Sequence, residues 1–171
     1  MWRAARWPFA LALLIASATR LALPFDGLYG QDAFAYFRFA RAIWPHLQRG
    51  APLPVLFWPR GYPAAVAALL PVVGGGPVAG QLVSALAGAW AAAAAVLLVG
   101  ELDGSEAPER GARIVAGVCV AASGVVLRTS QVVMADALAL ALAATALWCA
   151  ARVVRTGRAA WLVPCALAIA W

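Results

Sequence analysis

Residues 77–100 read PVAGQLVSALAGAWAAAAAVLLVG, an apolar run with no charged side chain. Coiled as an α-helix at ~1.5 Å per residue, it outreaches the ~30 Å hydrocarbon core of a bilayer. It therefore reads as a membrane span. Gly80, Ser84 and Gly88 recur at a spacing of four, a small-residue face that lets another helix approach closely. The polar groups within it, Gln81 and Ser84, sit near one end.

Working outward, further apolar runs flank this one. The first covers about Trp7 to Leu23 and stops at Pro24. A third ends near Leu127, with Ser105 placed to cap it and Pro108 in its first turn. A fourth covers about Ala137 to Val154. A fifth starts at Ala159 and reaches Trp171, short for a span, as though cut inside a helix. The composition agrees: 65% of residues are hydrophobic and 12% charged, far from a soluble domain. The expected fold class is all-α. It is a polytopic transmembrane helix bundle of about four spans plus a truncated fifth, one transmembrane domain over residues 1–171.

Arg3, Arg6 and the Ala16-Ser17-Ala18 stretch imitate a signal peptide, but the apolar character continues through Leu23, which favours an uncleaved first span. All 13 basic residues are arginine, scattered between apolar runs rather than gathered in a stripe, which argues against nucleic-acid binding. The net charge of +6 suits anionic lipid headgroups. Cys119, Cys149 and Cys165 lie inside apolar runs and form no metal motif or disulfide framework.

Residues 24–76 form a large loop between the first two spans. Within it, Ala33, Tyr36, Phe37, Ala40, Ile43 and Trp44 fall on one helical face, with Arg38 and Arg41 opposite. This predicts an amphipathic helix over 33–44 lying in the membrane interface and ended by Pro45. Phe34 and Phe39 fall outside that face. His46 reads as a solvated loop residue. Residues 62–73 are too short to cross and read as a second surface helix, broken by Gly74-Gly75-Gly76. This alternation places 24–76 and the polar return at 128–136 on one side. Arginine counts barely differ between sides, and we place the N-terminus in the cytoplasm and this loop outside.

Acids are scarce in such a chain. Of seven, four cluster between Glu101 and Glu109, leaving Asp26, Asp32 and Asp136 apart. Asp32 and Asp136 each stand at the start of an apolar helix, where a carboxylate can cap free backbone N–H groups. A carboxylate at a semi-dry surface can instead take a proton from a hydroxyl nucleophile. Two carboxylates can also offer oxygen ligands to a divalent cation, although the spacing requires no metal. Arg38, Arg60 and Arg128 are candidates for phosphate or headgroup contacts. Arg60 is set apart by Pro59 and Pro63, which restrict its backbone.

Three short stretches together resemble a known family. They are Gly30-Gln31-Asp32-Ala33-Phe34-Ala35-Tyr36, Trp58-Pro59-Arg60-Gly61-Tyr62-Pro63, and Ser130-Gln131-Val132-Val133-Met134-Ala135-Asp136 before the fourth span. The chain resembles the N-terminal part of the GT-C membrane glycosyltransferases, closest to the family 39, protein-mannosyltransferase-like enzymes of bacteria. The resemblance implies a polyprenyl-phosphate-linked sugar donor and transfer to a protein, lipid or glycan acceptor on the outer face of the cell membrane. It implies a catalytic role for Asp32 and a matching place for Asp136. With the residues' own chemistry, catalysis is assigned to Asp32 and Asp136 and substrate contacts to Arg38, Arg60, Tyr62, Arg128 and Gln131. Arg60 stands where the family more commonly has proline. The family often has a second acid beside the first, where this chain has Ala33 and Phe34, which weakens a metal reading. The alternative is a non-catalytic membrane subunit or transporter fragment whose acids merely cap helices. A transporter is expected to show polar groups or broken helices at mid-span.

Overall fold

In a computed structural model the described residues are 2–102 and 110–170, and helices make up 80% of the structure with no strands among those residues. The central helix is α4 (Val78–Leu102), which packs against nearly every other element. Its partners are α1 (Trp2–Ala22), α3 (Gly61–Val73), α5 (Arg110–Ala121), α6 (Gly124–Thr129) and α7 (Asp136–Thr156). Helix α2 (Gly30–Gln48) packs on α3, and α8 (Leu162–Ala170), preceded by a 3-10 turn at Ala159–Trp161, packs on α7. The reason α4 can serve so many neighbours is its alanine content. Ala87, Ala89 and Ala91 to Ala94 are all buried, and methyl side chains let several helices approach one axis.

Helices α4 and α7 are long and apolar enough to cross a membrane. α4 is mostly covered by protein, whereas α7 is mostly uncovered. Helix α1 is as long as α7 but carries Arg3, Arg6 and Arg20, and does not meet the same criterion. The expected third span is broken. Ser123 leaves the helix at φ −61° and ψ 127°, and glycine, a poor helix former, follows. The run becomes α5 with 12 residues and α6 with 6, each too short to cross alone. The Ser105 cap and Pro108 lie outside the described residues.

Both surface helices of the 24–76 loop form, with one boundary corrected. Pro45 lies inside α2, which continues to Gln48. His46 thus sits in its last turn, with Nδ1 2.7 Å from the Pro52 carbonyl. Proline removes a single N–H and strains the preceding turn, but here the helix is held from outside. Trp44 Nε1 donates to the Ala67 carbonyl of α3 at 2.8 Å. The face of Ala33, Tyr36, Phe37 and Ala40, expected to rest in the membrane interface, instead packs against α3, α4 and Val133, and Phe39 is buried too.

The close approach predicted at Gly80, Ser84 and Gly88 occurs, but what approaches is not a long helix. Val133 packs against Gly80, while Ser130 and Val126 occupy the space beside Gly88. The segment 130–135 is therefore a plug in the bundle end rather than a polar return: Val132 and Val133 are buried.

At the opposite end of α4, Glu101 is part of the helix rather than a charged loop. Its side chain is fully buried between two arginines of α7. Arg152 Nη1 donates to Oε1 at 2.6 Å, and Arg155 Nε lies 2.6 Å from Oε2, off line for a hydrogen bond. Arg152 also lies over the Trp161 ring, 5.1 Å from its centroid, so the clamp reaches the turn before α8.

Candidate functional site

The loops that precede Asp32 and Asp136 meet at one end of α4. The backbone N–H of Val133 donates to the Gly27 carbonyl at 2.9 Å. Gly27 adopts φ +87° and lies against the Gln81 side chain, so both its conformation and its lack of Cβ are needed there. The Gln81 amide spans the two loops: Nε2 donates to the Phe25 carbonyl and to the Gln131 carbonyl, each at 3.1 Å. Ser84 completes the junction by donating to the Val132 carbonyl at 2.7 Å. Gln81 and Ser84 are the buried polar pair at this end of α4, as Glu101 is the buried acid at the other. Their isolation in the sequence was the signal for this clamp. Sequence reasoning placed them at one end of the span without assigning them a task.

Neither carboxylate is a helix cap. Tyr29 holds the N-cap position of α2 and Ala135 that of α7, and no side-chain cap hydrogen bond forms at either. Asp32 lies in the first turn of α2 and Asp136 opens α7. Both positions favour a negative charge through the helix dipole. Asp32 faces an open cleft of about 650 Å³ that it shares with Gln31, Phe34, Arg38, Phe57 and Trp58. Asp136 is exposed at the head of α7.

Tyr36 lies one turn beyond Asp32. Burial pushes its phenol above the ordinary value, and the charges of Asp32 and then Asp136 push it further in the same direction. The Tyr36 ring meets the Tyr62 ring edge-on, with centroids 5.3 Å apart. Tyr36 was not among the residues expected to matter; its place at Asp32 plus four was the available clue.

The expected contact residues divide into two groups. Arg38 is exposed and shares the cleft with Asp32. Arg60 is exposed and lies 5.8 Å from the Phe39 ring centroid, and Arg128 lies 5.9 Å from that of Tyr29. Tyr62 and Gln131 instead hold the fold. The Tyr62 hydroxyl donates to the Gly80 carbonyl at 3.0 Å and lies 2.9 Å from Ser84 Oγ; burial pushes its ionisation far up, against the Ser84 contact, which pulls it down. Gln131 Nε2 donates to the Ala16 carbonyl of α1 at 3.0 Å.

Behind Tyr62 runs an apolar groove of about 340 Å³, bounded by Pro59, Ala135, Leu138, Leu142 and Ile169. It follows α7 from Ala135 to Ala146, about 16 Å at ~1.5 Å per residue. Among the described residues, no three His, Cys, Asp or Glu side chains gather as a metal site would need. No family model, characterised protein or solved structure matches this chain.

Proposed function

We propose that this chain forms the catalytic-side segment of an integral membrane glycosyltransferase, multi-pass and with its site at the outer face. The donor is a polyprenyl-phosphate-linked sugar. Asp32 takes the proton from the acceptor hydroxyl as that oxygen bonds to the sugar's anomeric carbon. The bond from that carbon to the donor phosphate breaks, and the phosphate leaves with the electron pair. Arg60, with Arg38 or Arg128, receives the negative charge that develops there. Asp136 supports Asp32 by holding the polar end of the site.

The observation that carries this reading is that the loops before Asp32 and Asp136 meet at one end of α4, with Asp32 free of any cap bond and facing an open cleft beside Arg38. A carboxylate used for capping would be tied to backbone N–H groups. The apolar groove that starts at Ala135 supports a lipid-linked donor, because it offers a prenyl chain a path along α7. The buried arginine clamp at the far end of α4 fits a cytoplasmic end rich in arginine.

The test is Asp32→Asn in the membrane-embedded protein, with transfer from a polyprenyl-phosphate sugar as the readout. Asparagine keeps the shape but cannot act as a base near neutral pH. Transfer falls by about a hundredfold or more while the amount of inserted protein is unchanged. Asp136→Asn costs less. Near-normal transfer by Asp32→Asn removes the catalytic assignment.

A further inference from the structure

We infer that the open cleft beside Asp32 is a saccharide-binding subsite, so that the hydroxyl presented to Asp32 belongs to a sugar ring. This deepens the proposed function and rests on it for the reaction, but the binding claim stands on the cleft's own chemistry.

The cleft combines two kinds of surface. One is aromatic. Phe34 is 51% exposed, Phe57 88% and Trp58 36%, although the bundle has buried positions for rings elsewhere. Phe57 and Trp58 stand at 85° with centroids 4.8 Å apart, so their faces point in crossed directions. Pro54 and Pro59 bracket this stretch and restrict its backbone. The other surface is polar. Gln31, Asp32 and Arg38 offer an amide, a carboxylate and a guanidinium. Among the described residues their side chains make no hydrogen bond or ion pair with the protein.

A pyranose ring matches both surfaces at once. Its axial C–H groups form an apolar face that lies flat on an aromatic ring. Its equatorial hydroxyls both donate and accept, which suits planar amide, carboxylate and guanidinium partners. A lipid tail would leave three polar side chains unsolvated. A loop that simply dips into the bilayer would carry its rings away from Gln31, Asp32 and Arg38, whereas Phe57 and Trp58 line the same space as those groups. The volume of about 650 Å³ lies within the range of small-ligand sites.

The experiment is saturation-transfer NMR on the full chain in nanodiscs. The probes are methyl α-mannopyranoside, methyl β-glucopyranoside, methyl β-galactopyranoside and cellobiose, with glycerol as the control. We expect transfer to the ring C–H protons of at least one sugar and none to glycerol. Phe57→Ala and Trp58→Ala, both at exposed positions, reduce the signal by about fivefold or more, and Trp58→Phe restores most of it. Absence of binding by every sugar, or binding unaffected by both alanine variants, overturns the inference. So does quenching of Trp58 by bromine placed deep in the lipid chains. Loss of transfer activity in Asp32→Asn without any sugar binding would leave the enzyme reading intact and remove this subsite. Trp58-dependent sugar binding with normal transfer in Asp32→Asn would do the reverse.

Discussion

Ser84→Ala probes the junction that brings the two acids together. Ser84 is fully buried, and its hydroxyl donates to the Val132 carbonyl at 2.7 Å and lies 2.9 Å from the Tyr62 hydroxyl. With the Ser84 proton on Val132 and the Tyr62 proton on Gly80, truncating Ser84 loses one full hydrogen bond, about 0.6 kcal/mol by the average for membrane proteins. The larger part comes from the Val132 carbonyl, which loses this donor in a buried setting at a cost of about 1–3 kcal/mol. The sum is roughly 2–4 kcal/mol. Tyr62→Phe removes the other end of the same contact but strands less. Ser84 keeps Val132, and the Gly80 carbonyl lies in α4, where helical N–H groups are at hand. Its expected cost is about 1 kcal/mol. The assay is unfolding by titration with SDS in mixed micelles, followed by far-UV circular dichroism. The double variant should cost less than the sum of the singles, because the two hydroxyls share one contact. If Tyr62→Phe costs as much as Ser84→Ala, the junction does not hang on Ser84 and the reasoning fails.

Three further outcomes are expected. Arg152→Ala combined with Arg155→Ala strands a fully buried carboxylate and destabilises by about 3–5 kcal/mol, whereas Glu101→Gln costs less because both arginines can turn to water; SDS titration ranks them. Alkaline pH lowers stability. Tyr36 and Tyr62 both ionise above the ordinary 10.0 when folded, so above that pH the unfolded chain sheds protons that the folded chain keeps. For Tyr62 this is up to about 1.4 kcal/mol per pH unit, and Tyr62→Phe flattens the decline. Single cysteines at Gln48 and Thr129 react alike with an impermeant reagent on intact cells, since the loops before α2 and α7 meet at one end of α4; labelling of one with protection of the other contradicts that arrangement.

The sequence by itself determined the helical class, because long apolar runs and period-3.6 faces are local properties. It placed α2, α3, α4 and α7 to within a few residues, and it marked Asp32 as a scarce acid at a helix start, open to capping or to chemistry. It misplaced the end of α2 because proline's local cost is outweighed by the Trp44 bond to α3, a contact 23 residues away in sequence. It read 110–127 as one span because hydropathy is blind to the extended backbone at Ser123. It could not show that Tyr62 bonds to Gly80 and Gln131 to Ala16, because a polar side chain's partner cannot be read from its neighbours in the chain. Tertiary structure alone decided that Gln81 and Ser84 clamp two loops separated by about a hundred residues, and that the loops before Asp32 and Asp136 therefore meet. The physical reason is that satisfying a buried polar group is a long-range requirement. A sequence shows that Gln81 and Ser84 must find partners inside an apolar helix, and only the packed chain shows which carbonyls they are.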